Sequence, residues 1–178
     1  MSRYLRPRAP GATIYFHVCL AERGSTLLID EIDALRAAVG LTRRIRPFHV
    51  DAWVVLPDNM QCIWTLPDGY ASFQACWRGI KSQFSHNLPR ATSHSNQLAC
   101  EEPRIWQRHF WMHRIREPLE YWDYLQMCQF APVRMGFVEM SEDWPYSSLS
   151  TTPKSGQQEN TTAKSIDLRV WDDDPTRH

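Results

Sequence analysis

The 178-residue sequence has no apolar run near the ~18 residues of a bilayer-crossing helix, no Cys-x-x-Cys pair and no internal repeat. It also has no excess of charge of either sign. The first absence argues against a helical membrane span. The start, Met-Ser-Arg-Tyr-Leu-Arg-Pro-Arg, lacks the apolar stretch of a secretory leader, so a cytoplasmic chain is expected. Cys19, Cys62, Cys76, Cys100 and Cys128 stand apart and are odd in number. That argues against a structural zinc site and a disulfide framework, and fits a reducing compartment. Lys+Arg and Asp+Glu are 20 each, so net charge alone suggests no partner. Aromatic residues are plentiful instead, at 12% with eight Trp, within a 43% hydrophobic composition. That is enough to build a core for one ordinary domain.

The balanced charge is unevenly spread. Arg3, Arg6 and Arg8 open the chain with no acid among them. Residues 77–116 carry Arg78, Lys81, Arg90, Arg104, Arg108, Arg114 and Arg116 against Glu101 and Glu102 only. Residues 117–150 reverse the sign, with Arg134 the one base. Patches of this kind suit contact with a polyanion, and equally describe solvated faces.

Residues 12–20 (ATIYFHVCL) are β-branched and aromatic and read as a strand. Residues 27–39 place Ile32, Leu35 and Val39 at helical spacing, with Gly40 as the expected stop. Residues 48–55 and 60–66 are two apolar runs split by Pro57-Asp58. They predict a hairpin, central to a sheet because both runs are so apolar. Phe73, Trp77, Ile80 and Phe84 form the apolar stripe of a second helix over 70–88. Residues 89–103 read as a loop and residues 104–115 as an aromatic strand. A last helix begins at Pro118 and is expected to end near Phe130, before Ala131-Pro132. The order βαββαβα predicts an α+β ferredoxin-like sandwich, an antiparallel sheet with its helices on one face. Residues 1–150 would form this domain. Residues 151–178, polar apart from Val170-Trp171, would be a flexible tail.

The hairpin Asp-Ala-Trp-Val-Val-Leu-Pro-Asp-Asn-Met-Gln-Cys-Ile-Trp-Thr-Leu-Pro (residues 51–67) closely resembles that of the REP-associated tyrosine transposases, a group of single-tyrosine HUH transposases. The similarity extends to Arg3-Tyr4, residues 10–16, Trp77-Arg78-Gly79-Ile80-Lys81-Ser82-Gln83-Phe84-Ser85, and Ile105-Trp106-Gln107-Arg108-His109-Phe110-Trp111-Met112-His113. It continues in residues 131–138 and Asp143-Trp144-Pro145-Tyr146-Ser147-Ser148. Seven segments in order are far more specific than one motif. The resemblance implies a ferredoxin-like fold that acts on hairpin-forming DNA. In that family a tyrosine hydroxyl attacks a phosphodiester and leaves a 5′-phosphotyrosine. Two histidines of a His-hydrophobic-His strand hold a divalent metal that polarises the phosphate. Residues i and i+2 of a strand share a face, so two such side chains can share one ion.

The same resemblance places Asn59 and Gln61 at the two histidine positions, around Met60. Amide oxygens bind hard cations weakly and replace imidazole poorly. Aligning Pro132-Val133-Arg134-Met135-Gly136 with the family's helix end puts Met127 where the tyrosine belongs and Ala131 where an Asn belongs. A thioether has no proton to lose and cannot form the phosphotyrosine link. Four substitutions at the four chemical positions, within otherwise familiar blocks, imply a DNA-binding scaffold without strand cleavage, needing no cofactor. The DNA would be a hairpin or single strand, with no membrane involved and a homodimer compatible with the family.

Candidate DNA contacts are Arg3, Tyr4 and Arg6 in an N-terminal arm, Arg78 and Lys81 on the second helix, and Arg104, Arg108, His113 and Arg114 around the last strand. Against each stands a plainer role: a hydrated tail, a solvated helix face, or a packed histidine. Trp64, Trp77, Trp106 and Trp111 read more readily as core than as surfaces for bases, with one or two available at most. Two rival functions remain. One is an active nickase using Tyr124 as nucleophile and a weak Asn59/Gln61 site for a cation such as Mg²⁺; the plainer role of Tyr124 is packing on the sheet. The other is a protein-interaction module without affinity for nucleic acid. His17, His49, His86 and His94 show no ligand spacing and receive no role.

Overall fold

A computed structural model describes residues 12–67, 72–88 and 104–149. The expected arm residues Arg3, Tyr4 and Arg6, the 89–103 loop and the 151–178 tail lie outside the described residues. In chain order the elements are β1 (Ala12–Cys19), α1 (Leu27–Asp30), α2 (Ile32–Ile45), β2 (His49–Val55), β3 (Asn59–Leu66), α3 (Phe73–Asn87), β4 (Trp111–Ile115) and α4 (Pro118–Arg134). A short 3-10 turn, Ser141–Asp143, follows. Among the described residues no helix is long and apolar enough to cross a membrane.

The four strands form one antiparallel sheet in the order β2-β3-β1-β4, the ferredoxin-like arrangement. Since β3 lies between β1 and β2 and runs against both, β1 and β2 are parallel, joined through α2. The same logic joins β3 to β4 through α3. Two interleaved right-handed crossovers must leave both helices on one face of the sheet. There Ile32, Leu35, Ala38 and Val39 of α2 and Trp77, Ile80 and Phe84 of α3 bury the alternate strand residues Phe16, Val18, Met60, Cys62 and Trp64. Trp64 is stacked between Phe48 and Trp77, at centroid distances of 4.1 and 4.4 Å. Both indoles are core, which leaves neither open to a base. Helices α2 and α3 meet closely at Gly79, where a Cβ would lie 3.2 Å from the Thr42 hydroxyl.

One detail of the expected sandwich is corrected: the helices do not all share a face. Helix α4 covers the opposite side, packing Tyr121, Leu125, Cys128 and Ala131 against Tyr15, Ala52, Val54, Ile63 and Ile115. It follows the last strand after only Arg116-Glu117, so no crossover rule binds it. The strand residues it covers are the apolar alternates that α2 and α3 leave bare.

Three boundaries and one sheet position also differ. Helix α2 runs through Gly40 to Ile45, since Thr42 and Arg43 are buried and Pro47 supplies the stop. Helix α4 continues through Pro132 to Arg134, and the Arg134 guanidinium donates to the Met127 carbonyl at 2.7 Å on the turn the proline disturbs. Gly136, at φ +76°, ends it, with Phe137 N–H bonded to Pro132 O and Gly136 N–H to Val133 O. Regular pairing of the last strand begins only at Trp111. His17 pairs with Trp111 and Leu20 with Trp106, three steps along β1 against five along the other chain, so residues 107–110 bulge out. Finally β2 is an edge strand rather than a central one. Its apolar character is explained by a returning segment: Val55 N–H donates to Tyr146 O, Ser148 N–H to Trp53 O, Trp53 N–H to Ser148 Oγ, and Trp144 Nε1–H to Val55 O.

Candidate functional site

Between α4 and the sheet the alternate residues of three strands come together: Tyr15, His17 and Cys19 of β1, Asn59 and Gln61 of β3, and Trp111 and His113 of β4. In the register of β1 and β3, Cys19 faces Asn59 and His17 faces Gln61. Asn59 is 3% exposed. Its amide Nδ2 donates to the Asp58 carboxylate at 2.7 Å. A carboxylate only accepts, so the other end of the amide is oxygen, and His17 Nε2–H donates to it at 3.2 Å. Cys19 Sγ lies 3.5 Å from the same ring nitrogen. Gln61 Oε1 accepts the Tyr15 hydroxyl at 2.9 Å.

Asp58 ties this group to the turn after β1. Its Oδ2 accepts the Gly24 N–H at 2.8 Å and sits 3.4 Å from Arg23 Nε. Gly24 has φ +79°, a conformation that a side chain would strain. Burial pushes the Asp58 carboxyl up, but the bonds from Gly24 and Asn59, with the Arg23 charge, outweigh burial and hold it below its ordinary value. Burial, with the neighbouring Cys128 and Cys62, pushes the Tyr15 phenol far above its usual range, which keeps it protonated as the donor to Gln61.

Met127 is half-buried on α4 and Ala131 is buried. Both thus lie on elements that face Asn59 and Gln61 across one layer. Tyr124, half-buried, stacks on Tyr15 at 4.6 Å and lies 5.1 Å from the His113 ring. Burial raises its phenol, and Glu120 and Asp123 raise it further. Two amides and a thioether do not fit the donor set of a metal-activated cleavage site. Both amide oxygens already accept hydrogen bonds, and among the described residues no group of three or more His, Cys, Asp or Glu could hold an ion.

The remaining basic candidates divide between the two faces. Lys81 is turned inward, its ammonium 5.5 Å from the Trp106 ring centroid, 5.2 Å from that of Phe110, and bonded to Gln107 O at 3.4 Å. Burial lowers its pKa. Arg78, one turn earlier on α3, is exposed, as are Arg104, Arg108 and Arg114. His113 lies on the α4 side instead, 3.6 Å from Glu120. Sequence reasoning passed over His17, because its partner Asn59 lies across a strand pairing. The one available signal was the period-two run Tyr15, His17, Cys19, which puts all three on one face.

Proteins of known family share this chain's sequence over most of its length. A REP-associated tyrosine transposase of Escherichia coli (strain K12) is 41% identical over 149 residues, 84% of this chain and 83% of the relative. The chain belongs to the REP-associated tyrosine transposase family. A second relative, from Haemophilus influenzae, is 31% identical over 175 residues, 97% of this chain and 99% of its own. The solved structure of a REP-associated tyrosine transposase bound to a REP hairpin matches at a TM-score of 0.69 and 35% identity. That match covers 90% of this chain and 100% of the other. No protein-family model matches the sequence.

Proposed function

We propose that this member of the transposase family binds hairpin DNA and does not cut it. The observation that carries the reading is the closed network at the cleft. Asn59 and Gln61 spend their carbonyl oxygens on His17 and Tyr15, opposite a helix whose residue at the family's nucleophile position is Met127. This network commits both amide oxygens and the Tyr15 hydroxyl and offers a phosphodiester no activating group, whereas the half-buried Gln61 amide nitrogen can still donate to a phosphate or a base edge. The hairpin partner rests on the family relative solved with a REP hairpin. Exposed Arg78, Arg104, Arg108 and Arg114 supply the phosphate contacts. Lys81, held between two rings, serves the fold.

The test is a labelled hairpin oligonucleotide incubated with the protein and Mg²⁺ or Mn²⁺. A native gel should show a retarded complex, and a denaturing gel only free DNA. A covalent protein–DNA band would overturn the loss of cleavage; no retarded complex at low salt would overturn DNA binding.

A further inference from the structure

We propose that Trp111 is a stacking surface for one unpaired nucleobase next to the duplex part of a bound hairpin, a proposal that rests on the DNA-binding reading above. Trp111 is the most exposed aromatic residue among the described ones, at 52%. It lies on the edge strand β4, where its open part can be reached by a ligand. It is also held still. The Trp111 ring is nearly parallel to that of His113, 11° between planes at 6.1 Å, and meets the Tyr15 ring edge-on at 5.5 Å. Tyr124 closes the group at 6.1 Å from Trp111. Three neighbouring rings fix one face of the indole, so a base placed on the open part meets a rigid plane and orders little side-chain freedom.

Position and charge select a nucleotide over an apolar peptide. Tyr15, which touches Trp111, also donates to Gln61, so one residue separates the indole from the amide network at the cleft. A base on Trp111 therefore hangs from a backbone that passes the network. The exposed Arg114, on the other face of the same edge strand, and Arg116 just beyond its end add positive charge along the edge past which that backbone runs. Duplex DNA keeps its base faces stacked internally, so the surface serves an unpaired nucleotide and not the stem.

The experiment compares two hairpins, one blunt and one with a short unpaired extension carrying 2-aminopurine, against the wild type, Trp111→Phe and Trp111→Ala. The wild type should prefer the extended hairpin and quench 2-aminopurine fluorescence. Trp111→Ala should weaken binding of the extended hairpin about tenfold, leave the blunt one unchanged and abolish quenching, while Trp111→Phe keeps most of both. Equal preference and equal quenching in Trp111→Ala would overturn the stacking surface while hairpin binding stands. Failure of the wild type to bind either hairpin would instead defeat the reading beneath it. Matching thermal melts confirm that the variants are folded; should Trp111→Ala melt early, Trp111→Gln takes its place with the same expected outcomes.

Discussion

On the reading proposed above, Met127 on α4 and the amides Asn59 and Gln61 on β3 take the places of the family's reactive side chains. The substitutions are mutually consistent. Asn59 is anchored by Asp58 and His17, so its oxygen is pointed by two partners and not left over from a lost site. If only chemistry was lost, restoring it should be additive in kind. Asn59→His and Gln61→His with Met127→Tyr and Ala131→Asn should give measurable nicking of a hairpin in Mn²⁺, read as a covalent band on a denaturing gel. The same four changes with Tyr124→Phe should nick equally well, because Tyr124 is committed to its stack with Tyr15 and His113. A folded quadruple variant with no trace of nicking would show that more than four positions have diverged. His17 was not legible as part of this site from sequence, since an isolated histidine at the end of a strand has no local signature. Register alone brings it to Asn59.

The turn after β1 and the start of β3 behave as one element, stitched by Asp58. Its carboxyl titrates lower in the folded chain than in the unfolded one, so through that range the unfolded state binds more protons. The stability contributed is complete above the ordinary carboxylate range and is lost as pH falls through the folded value. Asp58→Asn should therefore cost about 1–3 kcal/mol at neutral pH and flatten the acid side of the stability profile, measured by denaturant melts at stepped pH. An unchanged acid limb would assign that dependence to other carboxylates. Elements with a strong period, β1, β3 and the stripe of α3, were legible at once, because burial on one face dictates residue type. Ends were not. Gly40 and Pro132 look like stops, but packing carries α2 and α4 past them, and the true stops are Pro47 and Gly136, where backbone geometry leaves no alternative.

For the molecule as a whole the two faces have separate tasks. One is a tryptophan-rich core that fixes the sheet; the other carries α4 and the polar cleft. Sequence pattern revealed the fold order but not this division, because nothing in the spacing of α4 states which side of a sheet a trailing helix takes. Binding that relies on exposed arginines outside the cleft should fall steeply with salt, log K against log salt being linear. Arg108→Ala with Arg114→Ala should reduce the magnitude of that slope by about 2 and affect unrelated hairpins alike, as measured by fluorescence anisotropy across a salt series. An unaltered slope would remove both from the phosphate contacts.

The strap over β2 has a consequence for biosynthesis. The backbone groups of Trp53 and Val55 receive partners from Ser148, 95 positions later, and from Trp144, 89 positions later. At translation rates of about 5–20 residues per second, that interval lasts roughly 5–20 s. Throughout it a finished hairpin must wait on the ribosome with one apolar border bare, and that is the period in which chaperones would have most to do.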